Sequence, residues 1–276
     1  MKRRTLNNGT CVPRIGFGVW PLTDDQAYTA VTHALDAGYR RIDTAQVYGN
    51  EAGVGRAVRD SGVPRQDVFI TTKLWNADQG YDAALHAFDA SLRRLGTDYI
   101  DLYLIHWPAP EQNLYVASYK ALEGLHAERR AKAIGVSNFT ATTLGRLLAE
   151  TGTVPVLNQI ELHPYLPQNE MRAIAAERSI ATEAWSPLAQ GGRLLAEPVL
   201  TRLAEKYGKT PAQVVIRWHL QLGNLVIPRS VTPSRIRENI DVYDFDLTSE
   251  DLCDIAALDN GGRIGPDPDA ANYPGR

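Results

Sequence analysis

The strongest constraint on the fold of this chain is an alternation of short apolar runs with stretches of helical spacing, repeated along its length. Residues 14–20 (RIGFGVW), 40–43, 68–73 (VFITTK), 99–105 (YIDLYLI), 132–136, 154–159, 180–185 and 225–227 read as eight strands. Many of these strands are continuously apolar, the pattern expected where both faces of a parallel sheet are buried. Helical spacing follows at 25–36, 51–59, 81–95, 114–128, 141–150, 169–178, 199–207, 211–222 and 233–240. In the first of these helices Ala27, Val31, Ala34 and Leu35 share one face. Thr210 is placed to cap the 211–222 helix, with Pro211 at its first position.

A regular strand–helix unit of about 34 residues is the pattern of a (β/α)8 TIM barrel, read here as one domain spanning residues 1–276. An open doubly wound sheet is the competing architecture. No strand leads into Gly-x-Gly-x-x-Gly, because Gly16-Phe17-Gly18 runs into Trp20-Pro21 without a third glycine. Ahead of the first strand, Asn8-Gly9 sits between two strand-prone pieces and predicts a β-hairpin. The 261–276 tail, rich in Gly, Pro and Asp, reads as an extended flap.

Composition narrows the classes of function. Net charge is −3 and the only basic run is Lys2-Arg3-Arg4, so no nucleic-acid footprint is present. No stretch approaches the roughly 20 apolar residues of a membrane span. Cys11 and Cys253 offer neither metal-ligand spacing nor a disulfide framework. The expectation is a soluble, cytoplasmic, metal-free monomer.

In a barrel, chemistry sits where strands end and the following loops begin. The ends of strands two, three and four supply Asp43, Lys73 and His106, and Tyr48 lies in the loop after the first of them. A free tyrosine titrates near about 10, too high for efficient acid catalysis at neutral pH. A neighbouring ammonium stabilises tyrosinate and lowers that value. Asp43 is placed to keep such an ammonium charged, and His106 to hydrogen-bond a substrate oxygen. A tuned tyrosine beside a polarised oxygen suits carbonyl reduction, where a nascent alkoxide must be protonated; general acid catalysis of this kind contributes about 10²–10⁴-fold. Each residue alone has a structural reading: a rim ion pair for Asp43 and Lys73, a core-capping ring for Tyr48, a rim histidine for His106. Four such groups on three adjacent strand ends favour the chemical one. A hydrolase with paired carboxylates fits less well, because Asp43 and Glu161 share their rim with Lys73 and His106.

The order of motifs then matters. Asp43-Thr44-Ala45, Tyr48-Gly49-Asn50-Glu51, Lys73-Leu74-Trp75, Ile105-His106-Trp107-Pro108, Gly135-Val136-Ser137-Asn138-Phe139 and Ile227-Pro228-Arg229-Ser230 together resemble the aldo-keto reductase family. Among its members the chain is most similar to the short bacterial 2,5-diketogluconate reductase type. The resemblance implies NADPH-dependent reduction of small aldehydes, ketones or dicarbonyls. Tyr48 would be the proton donor, with Asp43 and Lys73 tuning it and His106 orienting the carbonyl. It also implies that Ser137, Asn138 and Gln159 bind the nicotinamide carboxamide, that Trp185 stacks on the ring, and that Ser186 and Leu188 line the pyrophosphate path. By their chemistry alone, Ser137, Asn138 and Gln159 serve equally to tie down loops.

Further on, the segment Arg229-Ser230-Val231-Thr232-Pro233-Ser234-Arg235 brings two arginines, with a serine and a threonine ahead of Pro233, to a helix start, a site for an anion. By the resemblance, Arg229, Ser230, Val231, Thr232 and Arg235 surround the adenosine 2′-phosphate, and Glu238 and Asn239 contact the adenine. Lysine is common in the family at the position of Arg229; arginine keeps the charge and changes its geometry, which bears on NADPH-over-NADH selectivity. Trp20, Trp75 and Trp107, in loops near the tetrad, are expected to line an aromatic, shallow and open substrate pocket. His163 is expected to hold a loop. A regulatory, cofactor-sensing barrel is the alternative within the family, and an intact tetrad weighs against it.

Overall fold

A computed structural model describes residues 2–271 and 273. An antiparallel hairpin, β1 (Arg3–Thr5) and β2 (Cys11–Pro13), opens the chain in the register Thr5↔Cys11. Eight parallel strands follow: β3 (Phe17–Gly18), β4 (Arg41–Asp43), β5 (Phe69–Leu74), β6 (Leu102–Ile105), β7 (Ile134–Ser137), β8 (Leu157–Glu161), β9 (Ala181–Trp185) and β10 (Leu225–Val226). Each is hydrogen-bonded to its neighbour in chain order. The sheet also closes on itself. Ile15 bridges Val226 in parallel, Gly16 N donates to Val226 O at 2.8 Å, and Val226 N donates to Arg14 O at 3.1 Å. The predicted first strand is therefore shared between two neighbours: its first residues pair with β10 and Phe17–Gly18 with β4. This is a (β/α)8 barrel.

The connecting helices are α1 (Asp24–Asp36), α2 (Glu51–Asp60), α3 (Tyr81–Leu95), α4 (Tyr115–Ala127), α5 (Ala141–Glu150), α6 (Asn169–Glu177), α7 (Gly192–Leu195), α8 (Pro198–Tyr207), α9 (Pro211–Gln221), α10 (Pro233–Ile240) and α11 (Ser249–Ala256). Local chemistry sets several of their starts. Thr23, Thr140, Thr210 and Thr248 each accept a hydrogen bond from the third residue of the helix that follows, and each closes a capping box. The short α7 and the terminal α11 are additions to the predicted set. The longer predicted strands are trimmed at their starts, 99–105 to Leu102–Ile105 and 154–159 to Leu157–Glu161. The latter also extends two residues further, so Gln159 lies within β8 rather than at its end.

The main apolar core fills the layer between barrel and helices. A second cluster lies at the start of the strands, where Leu6 and Val12 of the hairpin region pack with Phe69, Leu102, Leu157, Ala181 and Leu225. The hairpin thus closes the bottom of the barrel, leaving the opposite end for polar side chains. Of the predicted flap, residues 272 and 274–276 lie outside the described residues. Among the described residues no helix is long and apolar enough to cross a membrane.

Candidate active site

At the carboxyl ends of the strands, inward-pointing positions bring together a buried polar cluster. Asp43 closes β4 and Lys73 is the penultimate residue of β5. Lys73 Nζ donates to Asp43 Oδ1 at 2.5 Å and to Thr44 O at 2.9 Å, with both side chains withdrawn from water. His106 follows β6 directly and is buried. Tyr48 ends a single 3-10 turn, Gln46–Tyr48, which Gly49 terminates at φ 67°, a left-handed conformation that glycine adopts without strain. Gln46 fastens this turn to the next loop: its Nε2 donates to Asp78, and its Oε1 accepts from Trp75 N at 3.2 Å. The half-buried Tyr48 ring is thereby set with its hydroxyl 3.5 Å from His106 Nε2 and its centroid 5.2 Å from Lys73 Nζ.

The electrostatics of this group differ from the expectation in one respect. Lys73 opposes the effect of burial on Tyr48 without overcoming it. Burial and the Asp43 charge raise the phenol above its ordinary value, and the Lys73 ammonium pulls it back only partly. Lys73 itself is raised: burial lowers it, but Asp43, Tyr48 and Glu183 together outweigh that cost. His106 is held well below the usual histidine range by burial and by the Lys73 charge, so it is a neutral imidazole. Among the described residues its Nδ1 has no hydrogen-bond partner, which leaves Nε2, facing Tyr48, as the nitrogen that engages other groups.

The neighbouring strand ends carry an amide network. Ser137 closes β7, and its Oγ donates to Gln159 O at 2.8 Å. Asn138, in the left-handed region at φ 62°, donates from Nδ2 to His106 O at 2.9 Å and to Ser137 Oγ at 3.1 Å. Its Oδ1 accepts from Trp185 Nε1 at 2.7 Å. Asn138 therefore fixes both the His106 backbone and the indole of Trp185, which ends β9. Gln159 Nε2 donates to Asp43 Oδ2 and to Glu183 Oε2, each at 2.8 Å. Beyond Trp185, Ser186 and Ala189 adopt positive φ, and the loop carrying Ser186 and Leu188 is pinned where His219 Nε2 meets Pro187 O at 3.0 Å.

The anion site sits at the end of β10. Arg229 and Arg235 are exposed, and among the described residues neither forms an ion pair. Ser230 Oγ accepts from Thr232 N at 3.1 Å, while Thr232, the residue before α10, makes no side-chain cap. Among the described residues the start of α10 thus has no side-chain cap at Thr232, and Pro233 at its first position carries no N–H. Val231 is exposed beside them, Glu238 is partly buried and Asn239 is buried on the same helix.

Of the three tryptophans expected to line the substrate pocket, Trp75 and Trp107 are buried and share a small cluster with Ala271, while Trp20 stands half exposed on the rim. The Trp75 ring lies 5.3 Å from that of His106. Composition did not signal the contribution of the tail: Tyr273 stacks on Trp75 at 6.1 Å and meets Trp107 edge-on at 5.9 Å. The flap folds over the aromatic group instead of leaving it open. Its attachment is polar as well, since Ile264 N and Gly265 N donate to Glu161 at 2.5 and 2.9 Å. His163 is buried against the same carboxylate, with Nε2 at 3.1 Å, in a tight turn closed by Leu166 N to His163 O at 2.8 Å. Among the described residues no group of three or more His, Cys, Asp or Glu side chains is arranged to hold a metal ion.

Many known proteins resemble this chain in sequence and in fold. The sequence model of the Aldo/keto reductase family matches residues 14–260. An aldo-keto reductase of Mycolicibacterium smegmatis is 58% identical over 273 residues, 99% of each chain. The methylglyoxal reductase DkgA of Escherichia coli is 52% identical over 265 residues, 96% of each chain. Among solved structures, an aldo/keto reductase from Brucella melitensis superimposes with a TM-score of 0.91 at 53% identity, over 94% of this chain and 99% of that one. A mutant of Gox0644 crystallised in complex with NADPH superimposes with a TM-score of 0.95 at 46% identity, over 99% of each. The chain belongs to the aldo/keto reductase family, and its activity is the NADPH-dependent reduction of carbonyl compounds.

Proposed function

We propose that Tyr48 is the proton donor of this reductase and that its substrates are small aldehydes, ketones and dicarbonyls of the methylglyoxal type. The observation that carries this reading is the pairing of Tyr48 Oη with a neutral His106 Nε2 at 3.5 Å, above the buried Lys73–Asp43 pair. A neutral imidazole donates a hydrogen bond to a carbonyl oxygen without adding a second cation beside Lys73. The phenol, raised by burial, keeps its proton until charge develops on that oxygen. Lys73 then stabilises the tyrosinate formed, and Asp43 holds Lys73 charged.

NADPH, when bound, supplies the hydride. The residues present fit it. Gln159 commits Nε2 to two carboxylates, so its Oε1 is the atom it offers to a carboxamide N–H. Ser137 and Asn138 flank that position, and Trp185, oriented by Asn138, offers an indole face to the nicotinamide ring. Ser186 and Leu188 line the path for the pyrophosphate. Arg229 and Arg235, with Ser230, Val231, Thr232 and the uncapped start of α10, supply charge and N–H donors for a 2′-phosphate. Glu238 and Asn239 reach the adenine. Trp20, Trp75 and Trp107, joined by Tyr273, give a mainly aromatic pocket suited to compact, weakly charged carbonyl compounds. The DkgA relatives, named methylglyoxal reductases, support the dicarbonyl class. In this reading residues 1–276 form one domain, a cytoplasmic monomer; two exposed free thiols, Cys11 and Cys253, suit a reducing compartment.

The test is loss of NADPH absorbance with methylglyoxal and a panel of aldehydes, for the native protein and Tyr48→Phe. The variant is expected to lose about 10²–10⁴-fold in kcat while still quenching on NADPH binding. Undiminished turnover would remove Tyr48 from the role. Gln159→Leu is expected to weaken NADPH binding severalfold.

A further inference from the structure

Beneath the tetrad the barrel holds a second ion pair that the reaction as described does not use. Arg41 lies two residues before Asp43 on β4, so both side chains point into the barrel. Glu183 lies on β9 in register with Gln159 on β8. Both Arg41 and Glu183 are fully buried, and Arg41 Nη2 meets Glu183 Oε1 in close contact. That contact is an ion pair rather than an aligned hydrogen bond, because neither atom has a hydrogen-bond partner among the described residues. The stem of Arg41 is held firmly: a methyl added at Gly16 would lie 3.1 Å from its Cγ and Cδ, and Pro13 O accepts from Nη1 at 3.4 Å.

From there a continuous chain of contacts runs upward. Glu183 Oε2 accepts from Gln159 Nε2 at 2.8 Å, Gln159 Nε2 donates to Asp43 Oδ2 at 2.8 Å, and Asp43 Oδ1 accepts from Lys73 at 2.5 Å. Burial, with the Asp43 charge, raises the Glu183 carboxyl above its ordinary value, and Arg41, the Gln159 amide and Lys73 oppose that rise; each of its oxygens faces a donor or a cation, the contacts that favour the carboxylate. The four charged groups sum to zero. Arg41 and Asp43 from β4, Lys73 from β5 and Gln159 from β8 are the groups that act on Glu183; Lys73, Asp43 and His106 surround Tyr48.

The geometry points to Glu183, paired with Arg41, as a positioning residue for the reductase reaction: it orients the Gln159 amide toward the cofactor and adds a fixed negative charge beneath Lys73. Two consequences follow from one carboxylate. An amide whose nitrogen is claimed by Asp43 and Glu183 cannot flip, so Gln159 presents its oxygen to a carboxamide donor; this part rests on the cofactor placement proposed above. Independently of that placement, the Glu183 charge opposes that of Lys73. Removing it leaves the inner cluster with a net positive charge, which favours tyrosinate.

The test compares Glu183→Gln and Glu183→Asp in the full chain, with far-UV circular dichroism to show folding. In Glu183→Gln the alkaline limb of the kcat/KM profile for reduction is expected to fall by about one pH unit, the size of shift a single nearby charge produces. Pairing it with Arg41→Met, which restores neutrality, is expected to bring the limb back. In Glu183→Asp the charge stays but the carboxylate withdraws from Gln159. There the limb is expected to hold while the Kd for NADPH, read by fluorescence, rises about three- to tenfold, the loss of one oriented hydrogen bond. An unmoved limb in folded Glu183→Gln overturns the electrostatic role. An unmoved Kd in Glu183→Asp, with Gln159→Leu weakened, overturns the orienting role; an unmoved Kd in both instead removes Gln159 from the cofactor site. If Glu183→Gln does not fold, Arg41→Met alone, which leaves the inner cluster with a net negative charge, is expected to raise the alkaline limb, and an unmoved limb there overturns the electrostatic role; Glu183→Asp still decides the orienting role through its Kd.

Discussion

Lys73 Nζ and Asp43 Oδ1 meet at 2.5 Å, with both side chains shut off from water. A buried pair of this kind contributes little net stability over an apolar pair, but breaking it strands a charge at a cost of about 3–5 kcal/mol. Its presence therefore reports on function more than on folding.

Replacing Lys73 with methionine removes the cation and leaves Asp43 with Gln159 alone. Burial and Asp43 then act on Tyr48 unopposed, so kcat is expected to fall by about 10²-fold or more. The melting temperature should drop as well, because Asp43 is left buried without its cation. Stopped-flow turnover and thermal melts at neutral pH check both.

His219 offers a pH prediction with a defined sign. Its ring is buried, with Nε2 on Pro187 O, and burial brings its pKa down to about 3. In the unfolded chain it titrates near about 6.5. Between those values the unfolded chain binds a proton that the folded chain refuses, so stability is lost as pH falls from about 6.5 towards 3. His106 acts in the same direction. Thermal melts should decline steeply below pH 6.5. His219→Gln, which keeps a donor for Pro187 O, should reduce that slope by about one proton; an unchanged slope would contradict the assignment.

Tyr273 places a ring from the tail on Trp75 at 6.1 Å. Such a pair contributes about 0.5–1.5 kcal/mol, so Tyr273→Ala is expected to raise KM for compact aldehydes about two- to tenfold. Because Tyr273 makes no contact with the Lys73–Asp43 pair, kcat should stay close to native. Bulky aldehydes should lose less than compact ones. Steady-state kinetics on a size series tests this, and a fall in kcat with unchanged KM would count against the tail as a pocket wall.

Arg229 and Arg235 form no ion pair among the described residues, and both flank the start of α10. A hydrogen bond to a charged phosphate contributes about 1.5–3 kcal/mol, so Arg229→Ala and Arg235→Ala should each weaken NADPH binding by tenfold or more. NADH, lacking the phosphate, should change little. Fluorescence titrations with both cofactors at two salt concentrations decide it, since the NADPH term alone should weaken with salt.

Several features of the fold and site were legible because they depend on local order. The βα repeat, the Thr210 cap and the hairpin at Asn8-Gly9 are short-range patterns, and the folded chain shows each of them. Strand lengths were less legible. Apolar runs mark burial, whereas a strand is defined by its neighbour; residues 14–16 bond to β10, which lies some 210 residues away in sequence. Asp43, Lys73 and His106 could be read from strand ends because a barrel sends all such ends to one face.

The order of residues along the chain dictates the repeating unit, hence the barrel, and the chemical types at its rim. What those groups do to one another follows from where folding puts them. Burial outweighs Lys73 at Tyr48, Glu183 comes through Gln159 to bear on Asp43, and the tail brings Tyr273 back to Trp75. Solvation, charge separation and ring contact are properties of distance in space. Periodicity carries the direction in which a side chain points, but not what it meets there.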